Sequence, residues 1–562
     1  DDRLWGRRFT YQNQRLLYWP LLMSGDFDLM KPFFDYYWHL LPVRKAITKA
    51  WFGHEGAYYR ENIEPTGGER DCSKNGHDRE TKPLKTPPGG NKGDGYYHSY
   101  YFTSGLETTA MMIEYVKFTG DRRFRDEVLV PFAREVLLFY DKHYPRDTNG
   151  RLRLDPAQVL ETWWVAVNPA PDVAGLHFCL KNLLAMNAGT AADRAHWQRL
   201  HSELPPVPMQ EIDGRKALAP ADTWSHRRNA ENGELYPVFP FTLFGVGHGT
   251  KELVEWTMQH RSNPDRFGNK CWTQDQIHWA YAGNAVEAAE GLVRRFRWAS
   301  PLCRFPLYGS EGPDSCPDFD HFGSGSIALQ RMLVQEADGK ILLLPAWPAT
   351  WDADFKLHLS DHTIVSGKVE GGRLVRWDVQ PASRRKDVTV FQPQPMPVRP
   401  VVPKNDHPLR VGLDSQGGSR FAGELGRLSV LRGWVKPERI RELANGDRHV
   451  ALAGEDVLVS VLHPKVGDTL PVDAEALSEP VTFEAWIQPA AKEAGRIFDK
   501  LTAGRNDGML IDCWPGLSLR VIAGANERHW RDVLSPGRWH HLAVQLDRHR
   551  IRVYLDGKPM RP

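Results

Sequence analysis

The apolar pattern of this chain changes period once, near residue 340. That change limits the fold to a helical part followed by a β part. Before it, apolar residues recur at helical spacing, as in Phe33, Phe34, Tyr37, Leu40 and Leu41 within Phe27–Phe52. Comparable stretches are Asn13–Met23, Tyr96–Thr119, Arg123–His143, Asp172–Ala188, Ala191–Glu203, Leu235–Val246, Thr250–His260, Gln274–Phe296 and Gly323–Gln335. About ten helices with polar, Gly-rich connections predict stacked helical hairpins. Twelve would close an (α/α)6 toroid, and an N-terminally incomplete one accounts for the shortfall. The opening Asp1-Asp2-Arg3-Leu4-Trp5 already reads as structured sequence, which points to a longer parent protein.

After the change, Lys340–Pro345 is a short buried strand, and Lys356–Val390 alternates as a small antiparallel β unit. Gln392–Pro400 is Pro-rich and stiff. Strands with clean alternation follow, at Thr482–Ile487, Trp539–Leu546 and Arg550–Leu555. The last ends in the hairpin signal Asp556-Gly557. At 562 residues the chain exceeds one core. The expected division is a helical catalytic domain at 1–345, a small β domain at 346–391, a linker at 392–407 and a jelly-roll β-sandwich at 408–562.

A net charge of +2 gives no reason to expect nucleic acid as a partner. No apolar run approaches the ~18 residues that would span a membrane. The six cysteines show no metal spacing; Cys303 and Cys316 are close enough to bridge one loop, or remain free thiols. Aromatic residues make up 11% of the chain, and sugar rings pack their C–H faces on such rings. An oligo- or polysaccharide partner, and a secreted or periplasmic location, are the matching expectations.

The stretches "PVTFEAWIQP", "GRWHHLAVQLD" and "IRVYLDGKP" resemble the laminin-G-like, or concanavalin-like, domain. The tail usual to that family lies earlier here, at Leu409–Leu443. This reads either as one circularly permuted sandwich or as a degenerate repeat followed by a truncated one. Calcium is a candidate ligand of such a sandwich, with Asp507 and Asp512 as donors or as plain turn residues. No other metal and no cofactor is expected.

Glycoside hydrolysis needs an acid for the leaving oxygen and a second group to activate water. Four loops carry carboxylates beside aromatics or glycines. The first holds His54, Glu55, Arg60, Glu61 and Glu64, and the second sets Glu161 beside Trp163 and Trp164. The third holds Glu231, Asn232 and Glu234. The fourth holds Asp314, Asp318, Asp320 and His321. Each loop could equally be a solvated turn or a helix cap.

At these residues the chain resembles glycoside hydrolase family 95, inverting α-L-fucosidases and α-L-galactosidases with an (α/α)6 domain. The similarity spans roughly residues 5–380. Tyr11–Pro20, including Trp19, is similar to that family's "NxNxQMNYWP". Phe52–Glu64 echoes "YGxRGxxxHHNTD", and Phe118–Phe124 matches "FTGDxxF". Leu154–Glu161 loosely matches its acid loop, and Gly233–Pro240 resembles "SHLYGLFP". Phe319–Pro348 resembles "DGNFGG…ILLLPALP". The resemblance implies Glu161 as general acid, Asn13 as a water-positioning amide, and Asp320 or Asp318 as the carboxylate that makes that water basic. It implies substrate contacts from Tyr11, Trp19, His54, Glu55, Arg60, Glu61, Glu64, Trp163, Trp164, Glu231, Asn232, Glu234 and His321. Tyr11 stands where the family has its first asparagine, and Phe319 where it has its aspartate. The expected function is therefore an inverting glycoside hydrolase acting on α-linked fucosyl- or galactosyl-type residues. The alternatives are an inactive carbohydrate-binding protein, or a polysaccharide lyase on the same toroid with Tyr11, Tyr58 or His54 as base.

Overall fold

The computed structural model describes residues 9–68, 100–227, 229–264, 272–297, 319–396, 401–490, 495–505, 507–524, 526–547 and 550–560. These fall into two compact units, one within 1–396 and one within 397–562.

Among the described residues, the longer helices of the first unit are α1 (Tyr11–Ser24), α2 (Lys31–His39), α3 (Leu41–Phe52), α4 (Thr103–Thr119), α5 (Val130–His143), α6 (Ala170–Ala185), α7 (Ala191–Ser202), α8 (Lys251–Gln259), α9 (Asp275–Tyr281), α10 (Ala285–Arg297) and α11 (Phe319–Leu333). Burial sorts them into two kinds. α4 and α6 are buried on nearly every face, and every residue of α9 is buried. α7 buries only Asp193, Trp197 and Leu200. A helix apolar all round belongs inside, and a one-sided helix belongs at the periphery. The packing follows that sorting. α1 packs against α4 and α11, α4 against α6, and α9 against α10 and α11.

Three stretches differ from the helical periodicity. Phe27–Phe52 is divided, because Pro32 and Pro42 start new helices, where a missing N–H costs nothing. Gln274–Phe296 breaks between α9 and α10 at Gly283, which has φ +70°. Leu235–Val246 forms no α-helix. One 3-10 turn at Gly233–Leu235 leads into turns, since Pro237 and Pro240 remove two backbone donors.

The alternating stretch is a meander of Ala353–Leu359, Thr363–Glu370 and Arg373–Gln380, with Leu357 opposite Val365 and Val365 opposite Val379. Its first strand packs against α1. Residues 346–391 thus share the first unit with the helices.

The second unit holds two six-stranded sheets. Gly423–Arg432 pairs with Val481–Pro489, which pairs with His540–Leu546. Leu409–Val411 pairs with Gly495–Lys500 in the other sheet. Leu409–Leu443 therefore contributes strands to the same sandwich as the later segments. The two sheets enclose one core that includes Val411, Leu428, Phe483, Ile511 and Val544.

Both candidate calcium donors are engaged by protein. Asp507 accepts from the Thr502 backbone at 2.8 Å and hydroxyl at 2.6 Å, and Asp512 pairs with Arg496 and Arg520. Two guanidiniums around Asp512 oppose a cation there. Among the described residues, no cluster of three or more His, Cys, Asp or Glu gathers as for a metal, and no helix is long and apolar enough to cross a membrane. Cys179 and Cys513 are buried free thiols; Cys303 and Cys316 lie outside the described residues.

Candidate active site

The site begins where α1 meets α11. A Cβ added at Gly323 would lie 2.1 Å from the Leu16 carbonyl oxygen, so only glycine allows this approach. One turn earlier on each helix, the same approach sets Asn13 against Asp320. Asn13 Nδ2 donates to Asp320 Oδ2 at 2.6 Å. Further on, Gln330 Nε2 donates to the Pro20 carbonyl at 2.9 Å, so the helices run side by side in one direction. Asp318 lies outside the described residues.

The start of α1 is held by Glu61. The Glu61 carbonyl accepts from Tyr11 N at 2.8 Å, and its Oε1 accepts from Gln12 N at 2.6 Å. Burial, with Glu231 nearby, pushes the Glu61 carboxyl up to about 8. Burial likewise pushes Glu231 up to about 7, against the pull of Arg15. A relay of side chains runs behind them. Arg15 Nη1 donates to Glu107 at 2.9 Å and its Nη2 to the Tyr236 hydroxyl at 2.6 Å. That hydroxyl donates to Glu231 Oε1 at 3.4 Å. Trp19 Nε1 also donates to Glu107, at 2.8 Å, which fixes Trp19 as a packing residue.

Glu161 sits in the turn of a hairpin formed by β1 (Ala157–Val159) and β2 (Trp163–Ala166), extended by β3 (His226–Arg227). Leu160, just before it, has φ +51°, a left-handed backbone that a leucine rarely takes. Asn229 Nδ2 donates to the Glu161 carboxylate, and Trp164 Nε1 donates to the Glu161 carbonyl at 2.9 Å. The backbone of Glu161 and the Gln12 side chain both act on the Glu231 carboxyl, and Glu231 N donates to Thr162 Oγ1 at 3.1 Å. The Glu161 backbone and Gln12 thus lie by the Glu231 carboxyl, and Asn13, the next residue of α1, bonds Asp320.

Glu231 borders a small pocket lined also by Asn232, Asn263, Trp272, Gln274, Asp275 and His278. Glu231 Oε2, Asn263 Oδ1 and Gln274 Oε1 are buried around it, and no described protein group pairs with them. Three buried acceptors at one small pocket call for hydroxyl or water hydrogens there. Burial pushes His278 down to about 3, so it stands there neutral.

Several expected contacts lie elsewhere. His54 stacks on Phe52 and bonds His143 of α5 at 3.1 Å, and Glu55 is exposed and paired with Lys49. Gly56, which follows them, abuts the Phe139 backbone and holds this loop against α5. Tyr11 is buried, its hydroxyl accepting from Thr108 at 3.2 Å. His321 bonds the Arg295 carbonyl at 3.0 Å and fastens α11 to α10. Glu234 is buried and accepts from Ser262 N at 2.8 Å. Arg60 is buried, and Glu64, half-buried, takes the Tyr36 hydroxyl on its carbonyl. Sequence reasoning missed Gln12, Arg15, Glu107, Tyr236 and the α9 wall. Gln274, Asp275 and His278, polar at the start of a helix buried all round, were the available signal.

A family described as the concanavalin A-like lectin/glucanases superfamily matches residues 465–561. The second unit carries a concanavalin A-like domain. No curated protein matches the chain. A solved structure titled "Putative kojibiose phosphorylase from human microbiome" superposes with TM-score 0.44 at 11% identity, covering 65% of this chain. The matched part spans 56% of that protein's length.

Proposed function

We propose that the protein is a secreted glycoside hydrolase, inverting in mechanism, whose first unit is a six-hairpin toroid and whose concanavalin A-like domain holds glycan. The contacts of α1 with both α4 and α11 support the ring. The observation that carries the chemistry is the hydrogen bond from Asn13 to Asp320. A carboxylate pulling on an amide N–H makes the amide oxygen a stronger acceptor for a water proton.

In this reading Glu161 gives its proton to the glycosidic oxygen as the bond from that oxygen to the anomeric carbon breaks. Water held by Asn13 attacks the opposite face, and its proton passes to Asp320. Solvent then restores both carboxyls. Glu231 is a second candidate acid, because it borders the pocket and burial pushes it up to about 7. The resemblance to glycoside hydrolase family 95 nominates α-linked fucosyl or galactosyl residues.

The test is a panel of α-glycosides, with the anomer of the first product read by NMR. Inverted product is expected, and Glu161→Gln should lower turnover by roughly 10³-fold while sugar binding persists. Unchanged turnover moves the acid role to Glu231. Unsaturated products absorbing in the near ultraviolet would replace hydrolysis with elimination.

A further inference from the structure

The hairpin that carries Glu161 carries more than the acid. Trp163 on β2 lies opposite Arg227 on β3, and Trp164 opposite His226. The Arg227 guanidinium sits 5.2 Å from the centre of the Trp163 ring. Just before β3, the Trp224 ring lies 5.0 Å from Trp163, tilted by 60°. Trp163 is only 6% exposed, whereas Trp224 is 39% exposed. A buried indole, held by a cation, thus supports an indole presented to solvent.

The segment is fixed in place. Ser225 N and Oγ both bond the Trp164 carbonyl at 3.0 Å, and Val167 N donates to the Thr223 carbonyl at 2.9 Å. The same two strands meet at the acid, since Asn229, just after β3, donates to the Glu161 carboxylate. The pocket with the orphaned acceptors borders Glu231, and Trp224 is not among its walls. The hairpin that carries Glu161 therefore also carries an indole surface at Trp224, separate from the pocket that borders Glu231. The pocket is polar and enclosed, the indole surface aromatic and open.

We infer that Trp224, braced by Trp163 and Arg227, is a leaving-group subsite that stacks a pyranose ring on the acid side of the scissile bond. The inference rests on Glu161 being the acid. An acid must sit between the sugar that is released from the pocket and the sugar that departs with the glycosidic oxygen. A flat, solvent-facing indole receives a departing sugar and lets it leave.

The experiment compares an α-linked disaccharide with the corresponding glycosyl fluoride, which has no leaving sugar. In Trp224→Ala the ratio of kcat/KM for disaccharide over fluoride should fall about tenfold, mainly through KM. Trp224→Tyr should restore most of that ratio. An unchanged ratio in Trp224→Ala, with the wild type active on both substrates, overturns the subsite and leaves the acid reading intact. If Glu161→Gln turns over both substrates as fast as the wild type, the acid reading fails and the subsite falls with it.

Discussion

Both units bury carboxylates, and they treat them in opposite ways. In the sandwich, Glu484 lies fully buried between Arg427 at 2.8 Å and His541 at 3.2 Å. Burial alone would raise its pKa, yet the hydrogen bonds from His541 and Arg427 hold it below the ordinary value. In the helical unit, burial wins at Glu61 and Glu231, which rise to about 8 and about 7. The nearby cation, Arg15, is already committed to Glu107. The comparison separates a charge buried for structure from one held ready for chemistry. The first is matched at once by fixed partners, and the second is left short of them.

The largest effect expected from that contrast is at Glu484. Glu484→Gln leaves the buried Arg427 guanidinium without its carboxylate and takes the carboxylate from His541, and should destabilise the second unit by about 3–5 kcal/mol. The two units can be followed separately, because Cys179 is buried in the first and Cys513 in the second. Thiol labelling mapped to each cysteine across a denaturant series would show Cys513 reacting early and Cys179 unchanged. Equal labelling of Cys513 in variant and wild type would remove the distinction between the units.

The pH dependence should split the same way. Glu484 has a lowered folded pKa, so its contribution is present above the ordinary glutamate pKa and is lost in acid. Glu61 and Glu231 have raised folded values, so their contribution is full below the ordinary pKa and lost as pH climbs to about 8 and about 7. Within that window the helical unit should lose about 1.4 kcal/mol per pH unit for each proton shared by the pair. Labelling of Cys179 at graded denaturant from pH 5 to 8 measures it. A flat profile would mean that Glu61 and Glu231 titrate as ordinary surface glutamates.

The same contrast explains what could be read from the chain. The concanavalin-like stretches were legible because strand alternation is local: Thr482, Glu484 and Trp486 point one way and Phe483, Ala485 and Ile487 the other. The pairing of Asn13 with Asp320 was legible only through the family resemblance, since 307 residues separate them and Gly323 closes the gap. The His54–Glu55 loop read well and went elsewhere, because the close packing of Gly56 on α5 leaves no local trace. Arg15 and Glu107 looked like ordinary charges on apolar helices. Their meeting in the interior is set by how α1 crosses α4, which periodicity does not encode.

The smallest effect is the sharpest test of the distinction. Glu231→Gln removes an ionisable group whose charged form burial disfavours. At pH 8 the wild type must either ionise Glu231 in the interior or take up a proton to stay folded, and glutamine needs neither. The helical unit should therefore gain about 2–3 kcal/mol more at pH 8 than at pH 5, where the wild-type carboxyl is already protonated in the folded protein. The gain should come with weaker catalysis, as expected where a site holds a group at a cost to stability. Denaturant midpoints from Cys179 labelling at the two pH values measure the first part. A loss of stability at pH 8 comparable to that of Glu484→Gln would mean that Glu231 is a matched structural charge like its counterpart in the sandwich, and that the pocket beside it is not held in readiness for a ligand.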